Sequence, residues 1–342
     1  MLRIGIVGFG KMGVMHGALL QAMDGVELAA ITDTSKFMLS GFKSLFPQVK
    51  TYQSYRKMID ECGLDAVIIA TPSFNHVEIA QYALARNIHL FVEKPLSNDV
   101  QSGRELLKTA AESSAIAMVG FCMRYNPMFA EAKRWIDEGK LGTIQQASAS
   151  IYCSDVLSEQ SGWRFDPKQS GGGVLIDFAV HMLDMLYYYF GEVAEVSGRT
   201  NAVYSKVVED EVRAELIFGS GATGTLHGSW SRPEYRKPFY QLEAVGSLGS
   251  LKVTDQEIRL EQASGVVTSY YPDLYQGSYI DIGGPHFSKQ MELFISSVRN
   301  NSNPEANLAS GLYVQTLIDA IYRSARHQGE AQKVKVGSAD EY

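Results

Sequence analysis

A lysine that follows a run of apolar residues is the first candidate for chemistry in this sequence. Lys94 lies in Glu93-Lys94-Pro95, directly after the apolar run Ile88–Val92. In an open α/β sheet, ligands bind outside the carboxyl ends of the strands, so a lysine there is placed to meet one. Desolvation lowers a lysine pKa toward neutrality, which would let Lys94 move protons at physiological pH. An isolated Lys-Pro is more often a surface lysine before a turn. A functional role for Lys94 therefore depends on the other motifs in the sequence.

A glycine-rich motif near the N-terminus predicts a dinucleotide site. Gly8-Phe9-Gly10-Lys11-Met12-Gly13 follows the apolar run Leu2–Val7 and opens a predicted helix. The first glycine allows a tight turn, the second lets pyrophosphate approach the backbone, and the third lets helix and strand pack closely. Asp33 ends the next apolar run about 20 residues on, as the dinucleotide fingerprint requires. Its carboxylate favours NAD over NADP, because it can bind ribose hydroxyls and repels a 2′-phosphate.

Further residues follow strand ends of the same predicted sheet. Thr71, Pro72, Asn75 and His76 come after the apolar run Ala66–Ala70. We expect these four to join Glu93 and Lys94 in the cofactor site, since the carboxyl ends of parallel strands share one edge of a sheet. For His76, capping the following helix is an equally good interpretation.

A second local pattern lies in the second half of the chain. The triple glycine Gly171-Gly172-Gly173 leads into Asp177 and His181. On an α-helix these two residues are i and i+4, so they share one face. The glycines would remove side chains where a ligand ring or the nicotinamide must come close. A buried Asp–His pair is costly unless it is mutually satisfied or functional, although an ordinary surface pair is the alternative.

In combination and order, these motifs resemble the glucose–fructose oxidoreductase / inositol dehydrogenase / MocA (Gfo/Idh/MocA) family. The resemblance extends over nearly the whole chain, and it includes Arg124-Tyr125-Asn126-Pro127 and Trp163-Arg164. It implies a Rossmann domain followed by a larger α/β domain with an open, mostly antiparallel sheet. It also implies that Lys94, Asp177 and His181 form the catalytic group. Ala179 stands where many members have glycine, and its methyl group would narrow the pocket.

The implied reaction is hydride transfer between a secondary hydroxyl and the nicotinamide of NAD. The substrate would be a sugar, glycoside, cyclitol or sugar derivative. A base must take the hydroxyl proton, and we favour His181 because histidine titrates near neutral pH. Lys94 would stabilise the developing alkoxide charge, although the residue types leave the choice between the two open. Asp177 would orient substrate hydroxyls or fix the histidine tautomer.

Several flanking residues are weaker candidates for substrate binding. Trp163 could stack on a sugar ring, and a structural role in the core is about as good an interpretation. Arg124 and Arg164 could meet a substrate anion, but an internal salt bridge is the commoner role for each. His286 precedes a late predicted helix and could approach the substrate.

Two other functions remain open at this stage. A redox glycosidase would oxidise its substrate transiently with bound NAD and release sugar without net oxidation. Net NADH formation separates it from a dehydrogenase. A non-catalytic, dinucleotide-sensing regulator is the third candidate, and the presence of Lys94, Asp177 and His181 together argues against it.

Length and composition set the remaining expectations. A chain of 342 residues predicts two domains. The change of pattern after about residue 121 and the family resemblance assign them as a Rossmann domain over 1–121 and a substrate-binding and oligomerisation domain over 122–342. The net charge of −7 argues against nucleic acid as a partner. No apolar run is long enough for a membrane span, and three cysteines without CxxC spacing indicate buried thiols rather than a metal site. These features predict a cytoplasmic protein, and the family resemblance implies a homodimer or homotetramer formed through the C-terminal sheet.

Hydrophobic periodicity predicts the elements that position these residues. Short apolar runs alternate with helical segments near 11–23, 54–62, 75–86 and 99–113, which predicts a parallel sheet. Ser97 or Asn98 is the predicted N-cap of the last of these helices. Beyond residue 193 mostly period-2 runs predict an antiparallel sheet. Helices are also expected near 127–138, 172–190, 286–299 and 308–326.

Overall fold

The computed structural model describes residues 1–271 and 283–334. Contacts divide the described residues into two units: residues 1–120 with 283–312, and residues 121–271 with 313–334. Residues 272–282 and 335–342 of the second predicted domain lie outside the described residues.

The first unit is built on a parallel sheet. Among the described residues, the sheet has six strands in the order β3-β2-β1-β4-β5-β6, and every neighbouring pair is parallel. The strand order reverses between β1 and β4, which is the switch point where α/β sheets bind ligands. The strands are β1 Leu2–Val7, β2 Val26–Thr32, β3 Lys50–Tyr52, β4 Ala66–Ile69, β5 His89–Val92 and β6 Ala117–Val119.

Helices connect these strands. Their bounds are α1 Lys11–Gln21, α2 Lys36–Leu45, α3 Tyr55–Glu61, α4 His76–Leu84 and α5 Val100–Ala111. The N-cap of α5 is Asp99 rather than Ser97 or Asn98, because the Asp99 carboxylate accepts the Ser102 backbone N–H at 2.8 Å. Neither α2 nor β3 was predicted, although Ser35 caps α2 by accepting the Met38 N–H.

A late helix also belongs to the first unit. Helix α9, Pro285–Asn300, places Phe294 against Phe91 of β5, with ring centroids 5.8 Å apart. Near its C-terminal end, Arg299 donates to the Asp24 carbonyl at 2.8 Å. By its contacts, the segment 283–312 therefore groups with the first unit.

The second unit contains the larger sheet. Among the described residues it has nine strands in the order β14-β13-β12-β11-β7-β10-β9-β8-β15. Its β7/β10 pair is parallel, and the other pairs are antiparallel. The strands are β7 Ile144–Tyr152, β8 Val193–Asn201, β9 Glu211–Phe218, β10 Thr223–Ser229, β11 Phe239–Gly246, β12 Gly249–Thr254, β13 Glu257–Gln262, β14 Gly265–Tyr270 and β15 Gln332–Lys333.

The predicted fold class is confirmed: a Rossmann-type parallel sheet is followed by a mostly antiparallel open sheet. Strand β9 alternates buried and exposed residues, as expected for a sheet with one covered face. The remaining helices are α6 Pro127–Asp137, α7 Pro167–Ser170, α8 Val180–Phe190 and α10 Leu308–Arg326. Over the described part of the chain, none of the helices has the length and apolarity needed to cross a bilayer.

A buried ion pair fixes α8 within the second unit. Arg124 Nε and Nη2 lie 2.8 and 2.5 Å from the two carboxylate oxygens of Asp184. Both side chains are at most 2% exposed. The Arg124 guanidinium also lies over the Tyr188 ring, 4.5 Å from its centroid. Two charges withdrawn from water are tolerable here because each is the other's hydrogen-bond partner.

Removing one member of this pair should be strongly destabilising. We expect Arg124→Met to lower the free energy of unfolding by about 3–5 kcal/mol, because an unpaired Asp184 carboxylate stays buried. Arg134→Met is the matched control, since Arg134 is half-exposed in its pairs with Glu131 and Glu138 and should cost less than about 1 kcal/mol. Urea unfolding measures both values. Equal losses in the two variants would contradict the structural role of the pair.

Candidate active site

The glycine loop has the geometry that a dinucleotide requires. Gly8 follows β1 with φ +88°, a conformation that favours glycine. A Cβ at Gly13 would lie 2.0 Å from the Gly8 carbonyl oxygen, so only glycine lets α1 pack this closely on the loop. Among the described residues, apart from the atoms of Gly10 and its chain neighbours, no atom lies within 4 Å of the Cβ position of Gly10, which leaves its backbone open to a ligand. Helix α1 begins at Lys11, and its first N–H groups suit a pyrophosphate.

Asp33 lies beside this loop, directly after β2. Its carboxylate accepts the backbone N–H of Phe9 at 2.7 Å and that of Ser35 at 2.8 Å. These contacts hold the carboxylate where the ribose hydroxyls of a bound dinucleotide would be recognised. The Phe9 ring itself is buried against Phe42, with centroids 4.6 Å apart. The side chain of Phe9 therefore belongs to the core, and the cofactor contact predicted for Phe9 can involve only its backbone.

His76 joins two of the predicted cofactor segments. Its ring nitrogens lie 2.8 Å from the Pro95 carbonyl oxygen and 2.9 Å from that of Thr71. The side chain is buried, and both ring nitrogens face these two carbonyl groups rather than the start of α4. Burial lowers the pKa of His76, while the hydrogen bonds to the two carbonyl groups act in the opposite direction. His76 thus holds the loops after β4 and β5 together, a role the sequence did not predict.

Lys94 occupies the predicted position at the carboxyl end of a central strand. It lies two residues after the end of β5, is partly buried, and precedes a cis peptide bond to Pro95. The preceding residue, Glu93, is buried and accepts a hydrogen bond from His16 of α1 at 2.7 Å. Glu93 is therefore engaged within the protein. His16 was not predicted from the sequence, although its position on the first helix, three residues after Gly13, offered a signal.

Asp177 and His181 lie at the junction of two kinds of helix. Leu175–Ala179 forms a π-helical turn, and the regular helix α8 begins at Val180. The prediction of one α-helix over 172–190 is wrong in its first part, so the i,i+4 geometry assumed for the pair spans this junction. Single π turns inside helices occur frequently at functional sites.

Arg164 is the ion-pair partner of Asp177. Its Nη2 and Nε lie 2.6 and 3.1 Å from Asp177 Oδ2. Both side chains are partly exposed, 37% for Arg164 and 24% for Asp177, so this pair borders solvent. Trp163, in the same short turn, is 36% exposed. An exposed indole is available for stacking on a ligand, unlike the core tryptophan that the sequence left as an alternative.

The triple glycine serves packing rather than ligand approach. A Cβ at Gly172 would lie 2.0 Å from the Tyr322 hydroxyl, and one at Gly173 would lie 2.1 Å from the Glu209 carbonyl oxygen. The space beside these glycines is thus filled by the protein's own atoms. The prediction that a substrate ring or nicotinamide occupies this space is corrected accordingly.

Most predicted site residues form two groups, one in each unit. In the first, the glycine loop, Asp33, the Thr71–His76 segment and Lys94 lie at the carboxyl ends of β1, β2, β4 and β5. In the second, Arg164 and Asp177 are in direct contact, and His181 follows in the first turn of α8. Arg124 is the exception, because its guanidinium is buried with Asp184. The internal salt bridge that the sequence allowed for Arg124 and Arg164 is present at both.

The first unit is thus a dinucleotide-binding domain of an oxidoreductase. Residues 2–121 match the family described as "Oxidoreductase family, NAD-binding Rossmann fold". Residues 129–252 match the "GFO/IDH/MocA C-terminal domain". The chain belongs to the Gfo/Idh/MocA family of NAD-binding oxidoreductases, which confirms the resemblance and the cofactor predicted from the sequence.

Similar proteins of known activity cover nearly all of the chain. It is 26% identical over 313 residues to scyllo-inositol 2-dehydrogenase (NAD(+)) of Bacillus subtilis (strain 168), covering 89% of this chain and 88% of that protein. It is 29% identical over 376 residues to levoglucosan dehydrogenase of Pseudarthrobacter phenanthrenivorans, covering 95% and 96%. A solved structure of levoglucosan dehydrogenase in complex with NADH and levoglucosan superposes with a TM-score of 0.88 at 25% identity, over 98% and 99% of the two chains.

The position of Asp33 predicts discrimination between the two nicotinamide cofactors. We expect the wild-type protein to bind NAD more tightly than NADP, because the fixed carboxylate repels a 2′-phosphate. Asp33→Asn keeps an acceptor oxygen and removes the charge, so the NAD/NADP affinity ratio should fall about tenfold. Isothermal titration calorimetry with both cofactors measures the ratio. Tighter binding of NADP by the wild-type protein would show that the role assigned to Asp33 is wrong.

We expect His286 to make the folded protein less stable in mild acid. It lies in the first turn of α9, and burial lowers its pKa from 6.5 to about 4. Between these pH values the unfolded chain therefore binds a proton at His286 and the folded protein does not. The free energy of unfolding falls as pH drops from 6.5 toward 4. Between pH 7 and pH 5 this amounts to about 2 kcal/mol. Urea unfolding should show that His286→Gln recovers about this amount at pH 5, whereas His327→Gln, at an exposed position, should recover none.

Proposed function

We propose that this protein is an NAD-dependent dehydrogenase acting on a secondary hydroxyl of a sugar, a glycoside or a cyclitol. The observation that carries the proposal is the position of Lys94 at the carboxyl end of β5, the neighbour of β4, which borders the switch point of the NAD-binding sheet. The Arg164–Asp177 pair and His181 in the second unit support it. Relatives that share both domains act on inositols and levoglucosan, as their names state.

Each proposed catalytic residue has one role. Bound NAD supplies the hydride acceptor at C4 of its nicotinamide. His181 takes the proton of the substrate hydroxyl, since a neutral imidazole is a base near pH 7. Lys94 donates a hydrogen bond to the hydroxyl oxygen and stabilises its negative charge as the C–H bond breaks. In the reverse direction, His181 returns the proton and Lys94 polarises the carbonyl.

Asp177 is proposed to orient the substrate. Because the Arg164 guanidinium lies 2.6 Å from Oδ2, Asp177 is favoured as a carboxylate. A carboxylate accepts hydrogen bonds from the hydroxyl groups of a polyol and donates none. Trp163 offers an exposed apolar ring for the sugar face. Asp177 is thus assigned to substrate orientation, and the proton-accepting role stays with His181.

The charge pairing of the two arginines favours a neutral substrate. Arg124 and Arg164 are the residues that the sequence offered for a substrate phosphate or carboxylate. Each is instead paired with an aspartate of its own unit. A substrate anion would have to compete with Asp177 for the Arg164 guanidinium, and Arg124 is out of reach of solvent. We therefore propose that the substrates are uncharged polyols and that Arg124 is not part of the substrate site.

The proposal is tested with a panel of neutral sugars, glycosides and cyclitols, each offered with its phosphate or uronate counterpart. Absorbance at the NADH band and product mass are recorded together. We expect NADH and ketone to form in equal amounts from neutral substrates. Sugar release without net NADH formation would instead identify a redox glycosidase, and NAD binding without turnover of any compound would identify a sensor.

Two substitutions test the catalytic assignments. We expect Lys94→Ala and His181→Ala each to lower kcat by about a hundredfold or more, because each removes a group that stabilises the transition state. Lys57→Ala and His327→Ala remove exposed residues of the same types and should leave kcat unchanged. Initial rates on an identified substrate give these values. Full turnover in both catalytic variants would show that the assigned roles are wrong.

We also propose a homo-oligomeric, cytoplasmic protein. The solvent-facing side of the large sheet carries ion pairs between neighbouring strands, such as Lys252–Glu243, and exposed apolar residues such as Ile217. This surface supports the interface that the family resemblance implies. All three cysteines are buried free thiols, which suits a reducing compartment. Analytical ultracentrifugation distinguishes dimer from tetramer.

A further inference from the structure

One residue occupies the hydrogen-bond donors at the start of the segment that carries Asp177. Glu209 accepts the backbone N–H of Gly173 on Oε2 at 2.9 Å and that of Leu175 on Oε1 at 3.0 Å. Its own carbonyl oxygen accepts the N–H between them, that of Val174, at 3.0 Å. Three successive N–H groups that a helix start leaves without partners are thus bound by one residue from a distant part of the chain.

A tyrosine completes this arrangement. The Tyr322 hydroxyl, on α10, donates to Glu209 Oε1 at 2.7 Å. Burial raises the pKa of Glu209, while the hydrogen bonds from Tyr322, Leu175 and Gly173 favour the ionised form. The positive end of the helix dipole also favours a carboxylate at this position. Glu209 and Tyr322 together are called the helix cap below.

The glycines before Asp177 are matched to the helix cap. Gly172 has φ +156°, and a methyl group there would overlap the Tyr322 hydroxyl. At Gly173 a methyl group would overlap the Glu209 backbone. The absence of side chains at Gly172 and Gly173 therefore leaves the space that the helix cap needs to contact the backbone. This explains a motif that the proposed chemistry leaves without a purpose.

Glu209 is itself held firmly. The next residue, Asp210, is fully buried and accepts the indole N–H of Trp230 at 2.6 Å and the backbone N–H of Ser205 at 2.8 Å. Strand β9 starts directly afterwards, at Glu211. The cap thus ties the π turn to the strands of the large sheet, and the turn cannot shift unless the cap opens.

We propose that Glu209, with Tyr322, is a positioning residue for Asp177 and His181: it fixes the π turn so that the two side chains keep their catalytic placement. The inference rests on the proposed function, which assigns catalysis to those two residues. Neither cap residue needs to contact the substrate or the cofactor. A displacement of about 1 Å at a catalytic group can lower a rate a hundredfold, so the cap matters for turnover and leaves NAD binding unaffected.

The test compares two tyrosine hydroxyls of the second unit. Tyr322→Phe removes the donor to Glu209, and Tyr189→Phe removes the donor to the Phe129 carbonyl at the far end of α8. Glu209→Gln is the stronger variant, and Tyr322→Phe keeps the test valid if Glu209→Gln does not fold. Each holoenzyme is assayed with myo-inositol and with levoglucosan for kcat and KM. The dissociation constant for NAD and the thermal midpoint are measured alongside.

We expect Tyr322→Phe and Glu209→Gln to lower kcat about tenfold to a hundredfold, with the NAD dissociation constant unchanged within about twofold. Tyr189→Phe should lower the thermal midpoint by a similar amount and leave kcat unchanged. Equal effects of the two tyrosine substitutions on kcat would overturn the proposal, because the cap would then be merely structural.

Hydrogen–deuterium exchange separates failure of this inference from failure of the proposed function. In Tyr322→Phe, amide exchange in the peptide over 173–181 should become about tenfold faster than in Tyr189→Phe. This readout needs no substrate, so it decides the cap's role even if neither polyol is turned over. Unchanged exchange there would refute the positioning role whatever reaction the protein catalyses.

Discussion

The carboxyl edge of the parallel sheet is the constraint on which the cofactor site depends. Strands β1, β4 and β5 are neighbours and run in the same direction, so the segments that follow them must emerge side by side. The glycine loop, the Thr71 segment and Lys94 are these three segments. Two buried histidines then fix their spacing: His16 holds Glu93 from α1, and His76 joins the second and third segments. Strand direction thus brings together segments that lie far apart in the sequence, and the two histidines fix the distances between them.

Charge pairing organises the second unit in an analogous way. Asp184 neutralises Arg124 in the core, Arg164 holds Asp177 near solvent, and Glu209 neutralises the start of the π turn. The first of these pairs is buried and stabilises the position of α8. The second is open to water and leaves a carboxylate where a ligand can reach it. The Arg124–Asp184 pair therefore anchors this helical segment, and the Arg164–Asp177 pair holds a carboxylate of the same segment within reach of a ligand.

Local patterns predicted much of this molecule. The glycine motif, Asp33 and the strand before Lys94 were found because their signals lie within a few residues of one another. The cap at Asp99 was misplaced by one or two positions, which the sequence cannot resolve among Ser97, Asn98 and Asp99. Helix α2 was missed although Ser35 caps it, and its apolar residues Phe37 and Leu45 are exposed.

Contacts between distant parts of the chain were beyond reach of the sequence. Strand β7 was missed because its centre consists of small residues, and its parallel pairing with β10 joins segments far apart. The π turn and the purpose of the triple glycine depend on Glu209 and Tyr322, which lie 113 positions apart. No local pattern reports such a pairing. The packing of α9 in the first unit likewise depends on contacts between distant parts of the chain, which no local pattern reports.

The buried cysteines have a practical consequence. Cys62, Cys122 and Cys153 are free and enclosed, and burial raises the pKa of Cys153 to about 11. Because the thiolate is the reactive form and needs access to reagent, the native protein offers little for alkylation. A cysteine introduced at an exposed position such as Lys57 would become the preferred attachment point for a fluorophore. The chain is thus suited to the attachment of a single fluorophore at a chosen surface position.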